Sequence, residues 1–220
     1  IESDGQACQQ LVCDLVCTRL PRRYGYDPVR DIQVLCPTKL GPVGTVELNK
    51  QLQKRLNPPR QGLAEIETAG RIFRVGDKVM QVRNNYDIPF ERDGGETGVG
   101  AYNGDVGIVT GIDPEHGTVQ VQMDDRRITY GQENLPELEI AYAVTVHKSQ
   151  GNEFPAVVLP VADVPEKLRY RNLFYTGVTR ARSLCVVPGR RAVVAAMVQN
   201  VRQNLRYSAL GWLLSRENNE

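Results

Sequence analysis

The hydrophobic periodicity of this chain changes twice along its length, and that double change limits the folds open to it. Up to about residue 70 the pattern is helix, strand, loop, helix. "QACQQLVCDLVCTRLPRR" places Leu11 with Leu15, and Val12 with Val16, at helical spacing, with Pro21 expected to close the helix. "DIQVLCP" is a short β-type run ended by a proline, the mark of a buried strand. "GPVGTVELNKQLQKRLNPP" is a glycine-containing loop and then a helix, with Thr45 the expected cap and Pro58-Pro59 the stop. From Ile72 to Leu135 helical spacing is scarce. Short alternating runs take over ("DKVMQVR", "GDVGIVTGI", "GTVQVQM", "RRITY"), separated by "ERDGGETGVG", "DPEHG" and "DD". After Pro136 the first pattern returns. "LEIAYAVTV" and "FPAVVLPV" read as strands, "YRNLFYTGVTRAR" as a helix, "SLCVVPG" as a last strand and "RRAVVAAMVQNVRQNL" as a final amphipathic helix.

Helices alternating with buried strands point to an α/β layer architecture with a parallel sheet. Several short strands within about 60 residues point to a small β-barrel of SH3-like size. The expected organisation is therefore one α/β domain in two parts, residues 1–70 and 137–220, interrupted by a barrel over 71–136. The glycine- and charge-rich "ERDGGETGVG" is expected to be a mobile loop.

At 220 residues the chain is long enough for one core plus such a module. A net charge of +1 argues against a basic coat for nucleic acid, although a local basic groove stays open. The five cysteines include no CxxC pair, and with only two histidines they make a poor zinc set, so no metal site is expected. They read as small buried residues of a reducing cytoplasm, which sets the expected location. No leader opens the chain and no apolar run is long enough to span a bilayer, so no membrane partner is expected. The first residue is Ile rather than Met, which fits a piece of a longer protein or a processed one.

The P-loop pattern GxxxxGK[ST] is absent, since no lysine follows a glycine, and "GVGAYNG" has the wrong spacing for GxGxxG. In "YTGVTRAR", Arg180 and Arg182 stand near the end of the expected helix with Tyr175 upstream. Two readings are open there: an arginine directed at a γ-phosphate, or a solvated helix end facing the macrodipole. "TVHKSQGNEF" sets His147 beside Lys148, Ser149 and Gln150 after an apolar run. It lacks nucleophile-elbow glycines, which disfavours a Ser–His hydrolase. It suits a grip on phosphate or sugar, and equally an ordinary strand-to-helix turn.

Taken in order, "AYAVTVHKSQGNEFPAVVLPV" and "RNLFYTGVTRAR" resemble the last two motifs, V and VI, of superfamily-one helicases. "DIQVLCPTKLGPVGTVELNKQLQKRLNP" and "GDKVMQVRNNYD…YNGDVGIVTGID" resemble the RecD-like branch, which includes exodeoxyribonuclease V alpha subunits. The resemblance spans about Leu20 to Arg190. It implies a RecA-like second motor domain of the P-loop NTPase superfamily, with an SH3-like insertion, from an ATP-driven 5′-to-3′ DNA helicase of repair and recombination. In that reading Arg180 is the catalytic arginine finger. Gln150, Gly151, Glu153, Tyr175 and Arg182 belong to the ATP site, with Glu153 near the ribose. Thr145, His147, Lys148 and Ser149 touch DNA, with Thr38 and Lys39 as secondary contacts. Asn84, Asn85, Tyr86 and Asn103 are candidate single-strand contacts on the insertion, and Tyr86 and Tyr102 candidate stacking platforms. Turn asparagines and barrel-core tyrosines remain an equal reading.

ATP and Mg2+ are implied for the full-length protein and none for this stretch alone. The Walker A and magnesium-binding motifs of the first motor domain are not in it, and alone it is expected to be inactive. The implied partners are single-stranded DNA, the N-terminal motor domain of the same chain, and RecB- and RecC-like subunits. Two alternatives stand beside this: the helicase region of a conjugative relaxase, and a non-catalytic nucleic-acid-binding half-motor.

Overall fold

The computed structural model describes residues 4–201. Helix α1 (Gly5–Asp14) begins where the Asp4 carboxylate accepts the Ala7 N–H at 2.9 Å. A π-helical turn, Leu15–Arg19, and then α2 (Leu20–Tyr24) continue it, so Pro21 does not close the helix as expected. A proline ring strikes the carbonyl four residues back. The wider turn just before it, with Leu20 N–H bonded to Leu15 O, opens that carbonyl row. Strand β1 (Ile32–Cys36) is buried at every residue. Helix α3 (Thr45–Leu56) takes Gly44 as its N-cap, and Thr45 is its first residue rather than its cap. Two orphan donors at this end, Thr45 N–H and Val46 N–H, are met by the carbonyls of Thr38 and Lys39.

Strands β2 (Glu65–Thr68) and β3 (Arg71–Arg74) pair as a separate hairpin. An antiparallel sheet follows from β4 (Lys78–Gln81), β5 (Asn85–Arg92), β6 (Thr97–Ala101), β7 (Val106–Asp113), β8 (Thr118–Met123) and β9 (Arg126–Tyr130), closed off by β10 (Leu138–Ile140). Its order is β10-β4-β7-β8-β9-β5-β6, around a core that includes Phe73, Val119, Val121, Ile128 and Tyr130. "ERDGGETGVG" lies within the paired β5–β6 hairpin rather than in an open loop.

"LEIAYAVTV" is not one strand. Leu138–Ile140 pairs antiparallel with β4, whereas β11 (Ala143–Thr145) pairs parallel with β1. Between them the chain changes sheets, and the buried Gln33 carboxamide donates to the carbonyls of Ala141 and Tyr142 at 3.0 and 3.1 Å. Tyr142 O also accepts the Val34 N–H at 3.2 Å, so the side chain adds to the backbone bonding where the chain changes sheets. The remaining elements are β12 (Phe154–Val158), α4 (Arg171–Val178), β13 (Ala181–Val186) and α5 (Arg191–Gln199). The expected helix "YRNLFYTGVTRAR" thus stops at Val178, and Arg182 lies on a strand. The last expected helix is described as far as Gln199, and its end beyond residue 201 lies outside the described residues.

The parallel sheet has the order β11-β1-β12-β13. Ile32, Val34, Ala156 and Val158 pack with α1 and α3, while Leu35, Val157 and Leu159 pack with α4 and α5. Both faces are covered, which is why these strands read as unbroken apolar runs.

The two sheets are joined by buried charge. The Asp77 carboxylate accepts from Gln53, Asn57, the Arg74 N–H and the Tyr142 hydroxyl. Burial raises its pKa, and these four donors oppose the rise. Next to it, the buried Lys78 ammonium donates to Ile32 O at 3.2 Å and lies 5.7 Å from the Phe154 ring centroid. Burial pushes its pKa down to about 8, against the pull of Asp27 and Asp31. Among the described residues no helix is long and apolar enough to cross a membrane.

Candidate nucleotide and nucleic-acid site

Strand register explains what is special about residues 145–154. Thr145 ends β11 opposite Cys36, at the carboxyl end of β1. Phe154 begins β12 opposite Ala181, at the amino end of β13. Since all four strands are parallel, the intervening residues cross the sheet from its carboxyl edge to its amino edge. The offset is six strand positions, roughly 20 Å at the usual rise per residue. The crossing starts as a 3-10 turn, Val146–Ser149, with the Thr145 hydroxyl accepting Lys148 N–H at 3.4 Å. It passes through Gly151 at φ +88°, a backbone shape that disfavours other residues.

At the amino edge stands Arg180. Its backbone carbonyl accepts Phe154 N–H at 2.9 Å. Its guanidinium donates to Thr176 O at 3.3 Å, Asn152 O at 3.2 Å and Thr179 Oγ1 at 3.4 Å. All three acceptors are neutral, and among the described residues no carboxylate pairs with it. The charge is held in place but not neutralised. Arg182 differs: it pairs with Glu153 at 3.1 Å on the surface, where such a pair contributes little. Gln150 and Gly151 are exposed at the same edge. Tyr175 is exposed too, and the residues that hold the arginine are Thr176 and Thr179 instead.

At the carboxyl edge a cavity of about 590 Å³ opens between α3, β11 and the β2–β3 hairpin. Lys39, Thr145 and Lys148 line it, together with Lys50 and Arg71. Lys148 pairs with Glu139 at 2.7 Å. Burial raises the Glu139 pKa, but the Lys148 hydrogen bond and the charges of Lys148, Arg71 and Lys39 outweigh it, and the net shift is downward. Thr38 turns its hydroxyl to Leu40 O at 2.9 Å. His147 is exposed, 3.3 Å from the Tyr170 hydroxyl. Ser149 is fully buried with its hydroxyl donated to Val146 O at 2.7 Å, which leaves it no atom for a DNA contact.

On the antiparallel sheet, Asn85 is also committed. It donates to both oxygens of buried Glu137, and its own oxygen accepts from the N–H groups of Asp87 and Ile88. Asn84 bridges the Tyr86 hydroxyl and the Asn103 N–H, each at 2.9 Å. Tyr86 and Tyr102 are not core residues: they stand exposed in an edge-to-face pair, centroids 6.1 Å apart.

Residues 48–123 match the SH3 domain of ATP-dependent RecD-like DNA helicases, and residues 140–187 match the UvrD-like helicase C-terminal domain. The ATP-dependent RecD2 DNA helicase of Deinococcus radiodurans is 32% identical over 151 residues, 69% of this chain and 19% of that protein. The RecBCD enzyme subunit RecD of Mycolicibacterium smegmatis is 31% identical over 178 residues, 81% of this chain and 28% of that one. The chain is a RecD-like helicase C-terminal region. It spans about a fifth to just over a quarter of the length of those relatives. A Pif1 helicase from Candida albicans shares the fold, with a TM-score of 0.50 at 14% identity, covering 99% of this chain and 56% of that one. The four-stranded parallel sheet is thus the RecA-like layer of the RecD-like region, and strands β4 to β8 of the antiparallel sheet fall within its SH3-like domain.

Three residues of this RecD-like region escaped the sequence reading: Asn152, Thr176 and Thr179. Two of them hold Arg180 through backbone carbonyls, which carry no side-chain signature. Among the described residues no cluster of His, Cys, Asp or Glu could hold a metal ion.

Proposed function

We propose that this region is the C-terminal motor half of an ATP-dependent 5′-to-3′ DNA helicase, facing an N-terminal motor domain across a shared ATP site. The observation that carries the reading is Arg180, a guanidinium fixed by three neutral acceptors with its charge uncompensated. A cation so placed stabilises the charge that spreads over the phosphoryl oxygens during transfer. Gln150, Gly151 and Glu153 lie at the same edge and face the nucleotide. Mg2+, when bound, would supply charge neutralisation at the phosphates, and no residue of this region is assigned to hold it. Thr145, His147, Lys148, Thr38 and Lys39 contact the DNA backbone at the opposite edge, where the cavity and its lysines lie. The crossing turn connects the two edges, so nucleotide state and DNA grip share one segment. The motor layer in this reading comes from the two parts of the chain on either side of the inserted module expected at 71–136, although β10 (Leu138–Ile140) pairs within the antiparallel sheet, and RecB- and RecC-like subunits are partners of the whole protein.

Arg180→Ala in the full-length polypeptide tests it. DNA-stimulated ATP turnover is expected to fall by about 10³ or more, with binding to single-stranded oligothymidylate retained. Turnover that survives the substitution would falsify the assignment of the arginine.

A further inference from the structure

We propose that Asn152 is a positioning residue through which the SH3-like domain acts on Arg180. The proposal rests on the functional reading above, and adds a route by which a strand on the antiparallel sheet reaches the ATP site.

One residue touches both sides. The Asn152 side-chain Nδ2 donates to Gly104 O at 3.1 Å, while its backbone carbonyl accepts from Arg180 Nη1 at 3.2 Å. Its own N–H is bonded to Ser149 O, which ties it into the crossing turn. Between loop 102–105 and residues 145–154 this is the only hydrogen bond among the described residues. The loop and the crossing turn are in ordinary van der Waals contact. Gly104 has φ +101°, and a β-carbon there would lie 3.9 Å from both Asn152 Nδ2 and Lys148 O.

The far side of the same loop carries the exposed tyrosine pair. Tyr102 N–H is held by Asp105 Oδ2, which also pairs with Arg126 at 2.8 Å, and that guanidinium lies 6.0 Å from the Tyr102 ring centroid. Asn103 N–H is held by Asn84, whose amide reaches the Tyr86 hydroxyl. The loop is therefore a hydrogen-bonded unit with an aromatic face outward and Gly104 O inward. Bases that stack on Tyr86 and Tyr102 fix this unit. Through Gly104 and Asn152 they fix the carbonyl that aims the guanidinium. DNA on the SH3-like domain then strengthens nucleotide binding, and by linkage nucleotide strengthens DNA binding equally.

The test is the ratio of ATPγS dissociation constants of the full-length polypeptide without and with saturating oligothymidylate. Wild type is expected to show a ratio of about tenfold. Asn152→Ala removes the donor, and the nearly isosteric Asn152→Asp turns an acceptor towards Gly104 O. Both are expected to lower the ratio clearly below the wild-type value, leaving only the coupling carried by the crossing turn itself. A merely structural role would weaken ATPγS in both conditions alike and leave the ratio unchanged. Tyr102→Ala must lower the same ratio, which keeps the test open if neither Asn152 variant folds. A wild-type ratio in any folded variant of the three overturns the proposal, as does the absence of coupling in wild type. Loss of oligothymidylate binding by Asn152→Ala without nucleotide also overturns it, because Asn152 would then be a DNA ligand. The Arg180→Ala result is read separately, from turnover, so the two ideas fail in different experiments.

Discussion

The crossing turn and the SH3-like surface use polar residues in opposite ways. Around residues 145–154 the important cation, Arg180, is held by carbonyls and a hydroxyl and keeps its charge. On the SH3-like domain most polar candidates satisfy one another: Asn85 serves Glu137, and Asn84 serves Tyr86 and Asn103. The Tyr86–Tyr102 pair stands exposed beside them, with its ring faces uncommitted to the core. In the proposed function the first surface binds by charge and the second by stacking. A charge left uncompensated is available to an anion, whereas an asparagine already making its hydrogen bonds is scaffold.

The sharpest way to break this contrast is Glu137→Ala. Glu137 is buried and accepts from Gln81, Arg83 and Asn85. Its loss leaves those donors unmet and is expected to cost about 3 kcal/mol of stability, read from the denaturant midpoint. Binding of single-stranded DNA per folded molecule should not change. Weakened binding at full stability would mean that Asn85 and its neighbours face the ligand after all.

Lys78→Met comes next, at the seam between the two sheets. The wild-type ammonium is buried with one carbonyl acceptor, so at pH 7 the variant is expected to be more stable by about 2 kcal/mol. The sign of the pH dependence follows from a folded pKa of about 8 against 10.5 unfolded. Between those values the unfolded chain binds more protons, so the lysine's contribution to wild-type stability rises with pH. The advantage of the variant should therefore shrink from about pH 8 towards 10.5. A constant gap across that window would show that the lysine is not buried in solution. Reading the difference between the two proteins cancels the contributions of the groups they share.

The smallest effect is expected from Tyr86→Ala and Tyr102→Ala. Each should weaken oligothymidylate binding by about 1–2 kcal/mol and move stability by no more than about 0.5 kcal/mol. Equal salt dependence of binding in wild type and variants would fit stacking, because phosphate contacts are what release counterions. A large stability loss with unchanged binding would return both tyrosines to the scaffold.

Legibility in the sequence followed the strength of the local pattern. β1 is an apolar run bounded by a proline, and β7 to β9 alternate cleanly, so each was readable in isolation. "LEIAYAVTV" was not, because a run buried in both sheets has no phase to mark where it passes from one to the other. Pro21 misled for a related reason: a proline signals a helix end unless a π turn makes room for it. Ser149 and Asn85 had the right chemistry for contacts, but their partners, Val146 O and Glu137, are supplied by the turn and by a residue fifty-two positions away.

By itself the sequence determined the class of the fold, a parallel α/β layer with an SH3-like insertion, because burial on one face or two leaves a periodic trace in the residues. It also singled out Arg180 and the segment from Thr145 to Phe154 through motifs that resemble those of a helicase family. The tertiary structure alone decided that this segment runs from one edge of the sheet to the other, since direction depends on strand pairing. It alone placed Asn152 between Gly104 and Arg180, forty-eight and twenty-eight residues away, through contacts in which three of the four atoms are backbone or part-buried guanidinium. Backbone carbonyls are the same in every residue, so only their position in the fold makes them specific.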